Sequence, residues 1–174
     1  TFEHVSDATG VKTHLWCTGI SIVDINQDGL LDIYVSTAHP NKDKKVPNIF
    51  FVNQGLDEKG IPQFKDLAAP LGLADSSYST QAVFFDYDRD SDLDMFLLTN
   101  SLESYHRNTP FGQRTDGSGK SVDKLYRQDT LEDGTVHFTN VSAKAGILEE
   151  GWGLGVIVND FNLDGWPDIY CAND

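Results

Sequence analysis

Three nine-residue stretches hold the residues of this chain best suited to chemistry: Asp24-Ile-Asn-Gln-Asp-Gly-Leu-Leu-Asp32, Asp86-Tyr-Asp-Arg-Asp-Ser-Asp-Leu-Asp94 and Asp160-Phe-Asn-Leu-Asp-Gly-Trp-Pro-Asp168. Each sets a carboxylate or amide at positions 1, 3 and 5 and a carboxylate at position 9. These are Asp24, Asn26, Asp28 and Asp32; Asp86, Asp88, Asp90 and Asp94; and Asp160, Asn162, Asp164 and Asp168. Oxygens on alternate residues of a tightly curled loop converge on one point. The chemistry is therefore coordination, and a hard cation taking about six to eight oxygens, calcium above all, suits it. Position 7 (Leu30, Asp92, Trp166) varies in type, as expected where the backbone carbonyl is the ligand. Position 6 is Gly29 or Gly165 in two copies, where a sharp turn needs positive φ, and Ser91 in the other.

The loops are not EF-hands, which close on a bidentate Glu at position 12 and lie between helices. Position 12 here is Val35, Leu97 or Cys171, inside runs such as Ile33-Tyr-Val, Met95-Phe-Leu-Leu and Ile169-Tyr-Cys that read as buried strands. Each loop therefore joins two strands. Clusters of Asp, Asn and Gly also mark ordinary turns; three copies in one frame weigh against that simpler reading.

The elements that must position the loops repeat with them. Phe2, Phe64 and Phe138 each precede the first Asp of a loop by 22 residues, and Gly10, Gly72 and Gly146 by 14. Copies are spaced by 62 and then 74 residues. Within a unit, a first strand enters the loop (Thr18–Val23, Gln81–Phe85, Gly155–Val158) and a second leaves it. A third follows at Asn48–Val52 or Lys124–Arg127, then turns at Asn53-Gln-Gly55 or Glu132-Asp-Gly134. The Phe of the next unit opens a fourth strand, Gln63–Leu67 or Val136–Val141. Four short strands per unit resemble a blade of a β-propeller. The expected fold is all-β, one propeller segment with repeats at 1–62, 63–136 and an incomplete 137–174. The longer second repeat carries a polar insertion, Ser101 to Ser121, a surface loop that could form a binding face. Asn41–Lys45 is its short counterpart and reads as a solvated loop.

The 174 residues suffice for an ordinary core, and 23% charged with 39% hydrophobic residues reads as globular. Ten of the 27 acidic residues are loop carboxylates, so much of the net charge of −14 has a local cause. The remaining acidity argues against nucleic acid as partner, and no apolar run is long enough to span a membrane. Cys17 and Cys171 form no disulfide framework and read as buried free thiols. Both chain ends read as cut from a longer protein.

Together, the loops, the opening Phe-x-x-Val with its Gly-Ile, and the exit Asp168-Ile-Tyr-Cys-Ala-Asn173 resemble the FG-GAP/VCBS repeats, most closely the acidic-cartilage-protein type. The resemblance covers nearly the whole chain. It implies a seven-bladed propeller of the integrin α-chain type, built of four-stranded antiparallel blades with about three calcium ions between blade strands. It implies further blades in the parent chain and an extracellular, periplasmic or outer-surface location. By position, it assigns the ligand role to the twelve residues named above at positions 1, 3, 5 and 9. Ser91 departs from the pattern at a position that favours Gly.

Two functions compete, beside a third reading as a purely structural spacer in a larger surface assembly. One is a non-catalytic, calcium-binding segment serving adhesion or the recognition of a protein or glycan. The other is part of a propeller enzyme acting on polysaccharide or sugar, of lyase or dehydratase type. Catalysis needs a convergent acid and base. His14, His39, His106 and His137 share no repeat position, and Tyr105, His106, Arg107 and Arg114 form the one dense candidate group. The non-catalytic reading is the expectation.

Overall fold

The structure, a computed structural model, describes residues 3–39, 44–100, 113–131 and 135–174. Phe2, Tyr105, His106, Arg107, most of the 101–121 insertion and the expected turn Glu132-Asp-Gly134 lie outside the described residues.

Among the described residues, ten strands follow a four-residue helical turn, α1 (Ser6–Thr9): β1 Cys17–Val23, β2 Asp32–Thr37, β3 Ile49–Leu56, β4 Pro62–Asp66, β5 Ser79–Phe85, β6 Asp94–Thr99, β7 Lys124–Thr130, β8 Val136–Asn140, β9 Gly153–Asn159 and β10 Asp168–Asn173. They form three antiparallel sheets: β1-β2-β3-β4, β5-β6-β7-β8, and the pair β9-β10. Each Asp stretch is the connection between a first and second strand. Phe64 and Phe138 lie on the fourth strands, as the repeat frame requires. Before each new sheet the chain makes a short helical turn closed by Gly10, Gly72 or Gly146, all at φ between 77° and 82°.

The sheets pack face to face. Val23, Tyr34, Phe50 and Val52 of the first meet Ala82, Met95 and Leu97 of the second. Tyr34 packs edge-on to Phe50 and Phe84, with centroids 5.6 and 5.7 Å away. Phe96, Leu98 and Leu125 meet Val156, Ile169 and Cys171 of the third. The middle sheet is thus covered on both faces, and β6 is buried along its whole length. Runs without alternation, such as Met95-Phe-Leu-Leu, follow from that.

First strands lie against first strands. Thr18 Oγ1 donates to the Ser79 carbonyl at 2.7 Å and Ser21 Oγ to that of Ala82 at 2.6 Å. Gly19 permits this approach, since a Cβ there would sit 2.3 Å from the Thr80 carbonyl oxygen.

Two expectations need correction. Asn53-Gln-Gly55 is not a turn: β3 runs to Leu56 through a register shift, with Gly55 at φ 90°, and the reversal comes at Asp57–Gly60. A bulge uses the same Asn and Gly residues as a turn, which hid the difference. Nor are the free cysteines both buried. Cys17 is exposed at the start of β1 and Cys171 is half-buried.

Candidate metal centre

The three loops share one set of amide bonds. The position-1 carboxylate caps two amides of the curl: Asp28 N and Gly29 N donate to Asp24 at 3.0 and 2.9 Å, Asp90 N and Ser91 N to Asp86 at 3.1 Å each, and Asp164 N and Gly165 N to Asp160 at 3.1 and 2.8 Å. The position-7 amides of Leu30, Asp92 and Trp166 donate to Asp28, Asp90 and Asp164 at 2.8, 3.1 and 2.8 Å. Side chains two residues apart are thereby turned to one side of the loop.

Position 9 anchors each loop to the sheet. Asp32 accepts from Ile25 N at 3.0 Å and, through its other oxygen, from Asn53 N of β3 at 2.8 Å. Asp94 does the same with Tyr87 N at 2.9 Å and Gln128 N at 2.8 Å. Asp168 accepts from Phe161 N at 3.0 Å. Asp32 and Asp94 are buried at 1% and 0% exposure, and Asp168 is half-buried. Burial pushes both buried carboxyls up, Asp94 to about 6, against the pull of their amide bonds. Asp88 and Asp92 are also raised, first by burial and then by Asp90, Asp92 to about 6.

In the second loop Asp86, Asp88 and Asp94 each bring one carboxylate oxygen to within 4.8 Å of the other two. Two oxygens bound to one calcium can be no further apart than about 4.6–5.2 Å, twice the bond length. Asp88 Oδ1 and Asp92 Oδ1 are buried there with no hydrogen-bond partner. Orphaned carboxylate oxygens in a group of mutually repelling acids fit a hard cation, which would satisfy both demands. In the first and third loops an amide takes the middle place: Asn26 Nδ2 donates to Asp28 at 2.8 Å and Asn162 Nδ2 to Asp164 at 3.0 Å.

Positive φ occurs at position 6 in all three loops, at 83° for Gly29, 81° for Ser91 and 86° for Gly165. It also occurs at position 4, in Gln27, Arg89 and Leu163 at 56°, 66° and 62°, which sequence reasoning missed. Gln, Arg and Leu carry no local signal for that conformation. Position 4 has a use between sheets. Gln27 donates to the Ser91 carbonyl at 3.0 Å, and the Arg89 guanidinium lies 5.0 Å from the Trp166 ring centre. The side chain of each loop thus holds the next loop, and Leu163, third in the series, is 86% exposed.

Of the candidate catalytic group, Arg114 alone is described. It is exposed, its amide donates to Glu150 at 3.2 Å and its guanidinium donates to the Ser118 carbonyl at 3.4 Å. His14, His39 and His137 stay at separate places in the chain order of the sheets, before β1, after β2 and within β8. Among the described residues, no helix is long and apolar enough to cross a membrane.

No family model matches the chain. Cartilage acidic protein 1 of Mus musculus and that of Homo sapiens are each 24% identical to it over 174 residues. The match takes in 99% of this chain and 23% of the length of each relative.

Proposed function

We propose that the chain is a non-catalytic, calcium-binding segment of a β-propeller of the FG-GAP/VCBS type, belonging to an extracellular or surface protein that recognises a protein or glycan partner. The loop repeated in all three sheets, with the converging carboxylates of its second copy, carries this reading. Asp24, Asn26, Asp28 and Asp32 would hold one ion, Asp86, Asp88, Asp90 and Asp94 a second, and Asp160, Asn162, Asp164 and Asp168 a third. The carbonyls of Leu30, Asp92 and Trp166 complete the sets. Calcium supplies charge neutralisation that the loops lack by themselves, so it stiffens the edge of each sheet rather than performing a reaction.

The uncovered faces support continuation of the same stack. Ile157 and Tyr170 stand at the repeat positions of Ser21 and Tyr34, which the second sheet covers, yet they are 55% and 64% exposed. Gly155 corresponds to Gly19, but a Cβ on it would meet nothing within 4 Å. On the other flank Ile20 and Ile22, at the positions of Ala82 and Phe84, are 65% and 56% exposed. Each flank therefore offers the surface that a further unit of the same pattern would cover. The similarity to cartilage acidic protein 1 over the whole chain agrees with a repeat segment of a larger protein.

Capture of matrix proteins and glycans by the parent protein, measured with calcium and with chelator, tests the reading. Calcium-dependent capture without turnover of any captured glycan is the expected result. Turnover that is lost on replacing His106 or Arg107 in a folded protein would favour the enzyme instead.

A further inference from the structure

The edge of the sheets opposite the Asp loops holds a cleft of about 530 Å³. It is built from the β2–β3, β4–β5, β6–β7 and β8–β9 connections, all of which antiparallel pairing places at that edge. Its volume falls in the roughly 300–1,000 Å³ range of small-ligand sites. In a chain of net charge −14, four of the 13 Lys and Arg residues line it: Lys44, Lys45, Lys120 and Lys124. Lys124 is tied to Asp75, which also accepts from Tyr126 Oη at 2.8 Å and from Ser77. Burial raises the Asp75 carboxyl, but Lys124 and Ser77 outweigh it and hold it below the ordinary range, so this floor is a fixed ion pair. None of the described ion pairs engages Lys44 or Lys45, and both are exposed.

One carboxylate in the cleft breaks the repeat. Pairing places Asp123 where the first sheet has Asn48. Each accepts from the matching threonine amide, Asn48 from Thr37 at 2.8 Å and Asp123 from Thr99 at 2.7 Å. The Asn48 amide nitrogen then donates to Tyr34 Oη at 2.9 Å and Ser79 Oγ at 2.8 Å. In the second unit those two partners are replaced by Phe96 and Gly153, which have no side-chain oxygen. Both described hydrogen bonds of Asp123 end on Oδ1. Oδ2 is the acceptor left for a ligand, in a residue that is 9% exposed and lines the cleft.

We propose that this cleft binds an acidic saccharide, a hexuronate-bearing oligosaccharide whose carboxylate is taken by Lys44 and Lys45 and one of whose hydroxyls donates to Asp123. Lysines alone would suit any anion. Asp123 decides the class, because it repels a second carboxylate and accepts from a hydroxyl, and a uronate sugar offers an anion and hydroxyl donors together. The proposal rests on the recognition reading above and names its ligand.

The test is calorimetric titration of the parent protein, at fixed excess calcium, with a glucuronate trisaccharide, a neutral glucose trisaccharide and triglutamate. Saturable uronate binding is expected, with the neutral sugar and the peptide each weaker by about tenfold or more. Lys44→Gln with Lys45→Gln should weaken the uronate about tenfold, and Asp123→Asn about three- to tenfold. The Asp123→Asn amide nitrogen lacks the tyrosine and serine partners that Asn48 has, so a melting curve of the variant is recorded beside the titration and a loss of binding counts only in the folded variant. Absence of saturable uronate binding overturns the proposal, as does triglutamate binding equally well or affinity unchanged in both variants. The calcium-induced melting shift of the same samples tests the underlying module separately. If that shift is intact and the uronate does not bind, the cleft assignment alone fails.

Discussion

The two edges of these sheets follow opposite rules. At one, three loops keep Asp at positions 1, 5 and 9, the same amide bonds and the same pair of positive φ angles. At the other, matching positions diverge: Asn48 becomes Asp123, and the connection after β2 is far shorter than the one after β6. Repetition marks what every unit needs in order to stack. Divergence leaves room for the recognition proposed above.

The comparison breaks first if calcium is unimportant to the repeated edge. Saturating calcium at a hundredfold excess over Kd should stabilise the chain by about 3 kcal/mol per site, so chelation should produce the largest fall in melting temperature of any change considered. Asp86→Ala comes next. It leaves the amides of Asp90 and Ser91 uncapped and removes a ligand, which should cost about 2–3 kcal/mol in calcium and shrink the calcium-induced shift. Asp116→Ala at the opposite edge should leave that shift unchanged. Equal losses of calcium response in the two variants would erase the distinction between the edges.

Asp123→Asn should act in the other direction and stabilise. Burial holds the Asp123 carboxyl at about 6 in the fold. Between the unfolded value of about 4 and that point, the native state binds more protons, so stability falls as pH rises and the penalty is complete above about pH 6. The Asn variant should gain about 1–3 kcal/mol at pH 7 and lose this slope. Chemical denaturation across pH 4 to 7, read at about half-unit steps, measures both effects. A variant less stable than its parent at pH 7 would contradict the assignment.

The smallest expected effect is Ser91→Gly, which removes a non-glycine residue from φ 81°. It should stabilise by about 1 kcal/mol in denaturant unfolding, and Gly29→Ala should destabilise by a similar amount. If Ser91→Gly destabilises, the serine has a role beyond lending its carbonyl to Gln27.

The repeated edge was legible in the sequence because it is made of local contacts. Asp24 reaches amides four and five residues on, and the pattern of oxygens follows from the loop itself. Strand order was legible for the same reason, since Phe64 and Phe138 mark the fourth strands in a fixed frame. What escaped depends on neighbours distant in sequence. Positive φ at Gln27 and Arg89 makes sense only beside the next loop, Cys17 is exposed by its place at a strand end, and Asp123 matches Asn48 only once two connections of unequal length are aligned by pairing. The bulge at Asn53–Gly55 uses turn residues inside a strand and had no separate signature.

The most direct measurement is the number of calcium ions bound per chain, by equilibrium dialysis or calorimetry, in the parent and in the triple variant Asp24→Ala, Asp86→Ala, Asp160→Ala. Three ions in the parent and none in the variant are the expected result. No saturable binding in the parent, or the same number of ions in both proteins, would contradict the assignment of the loops.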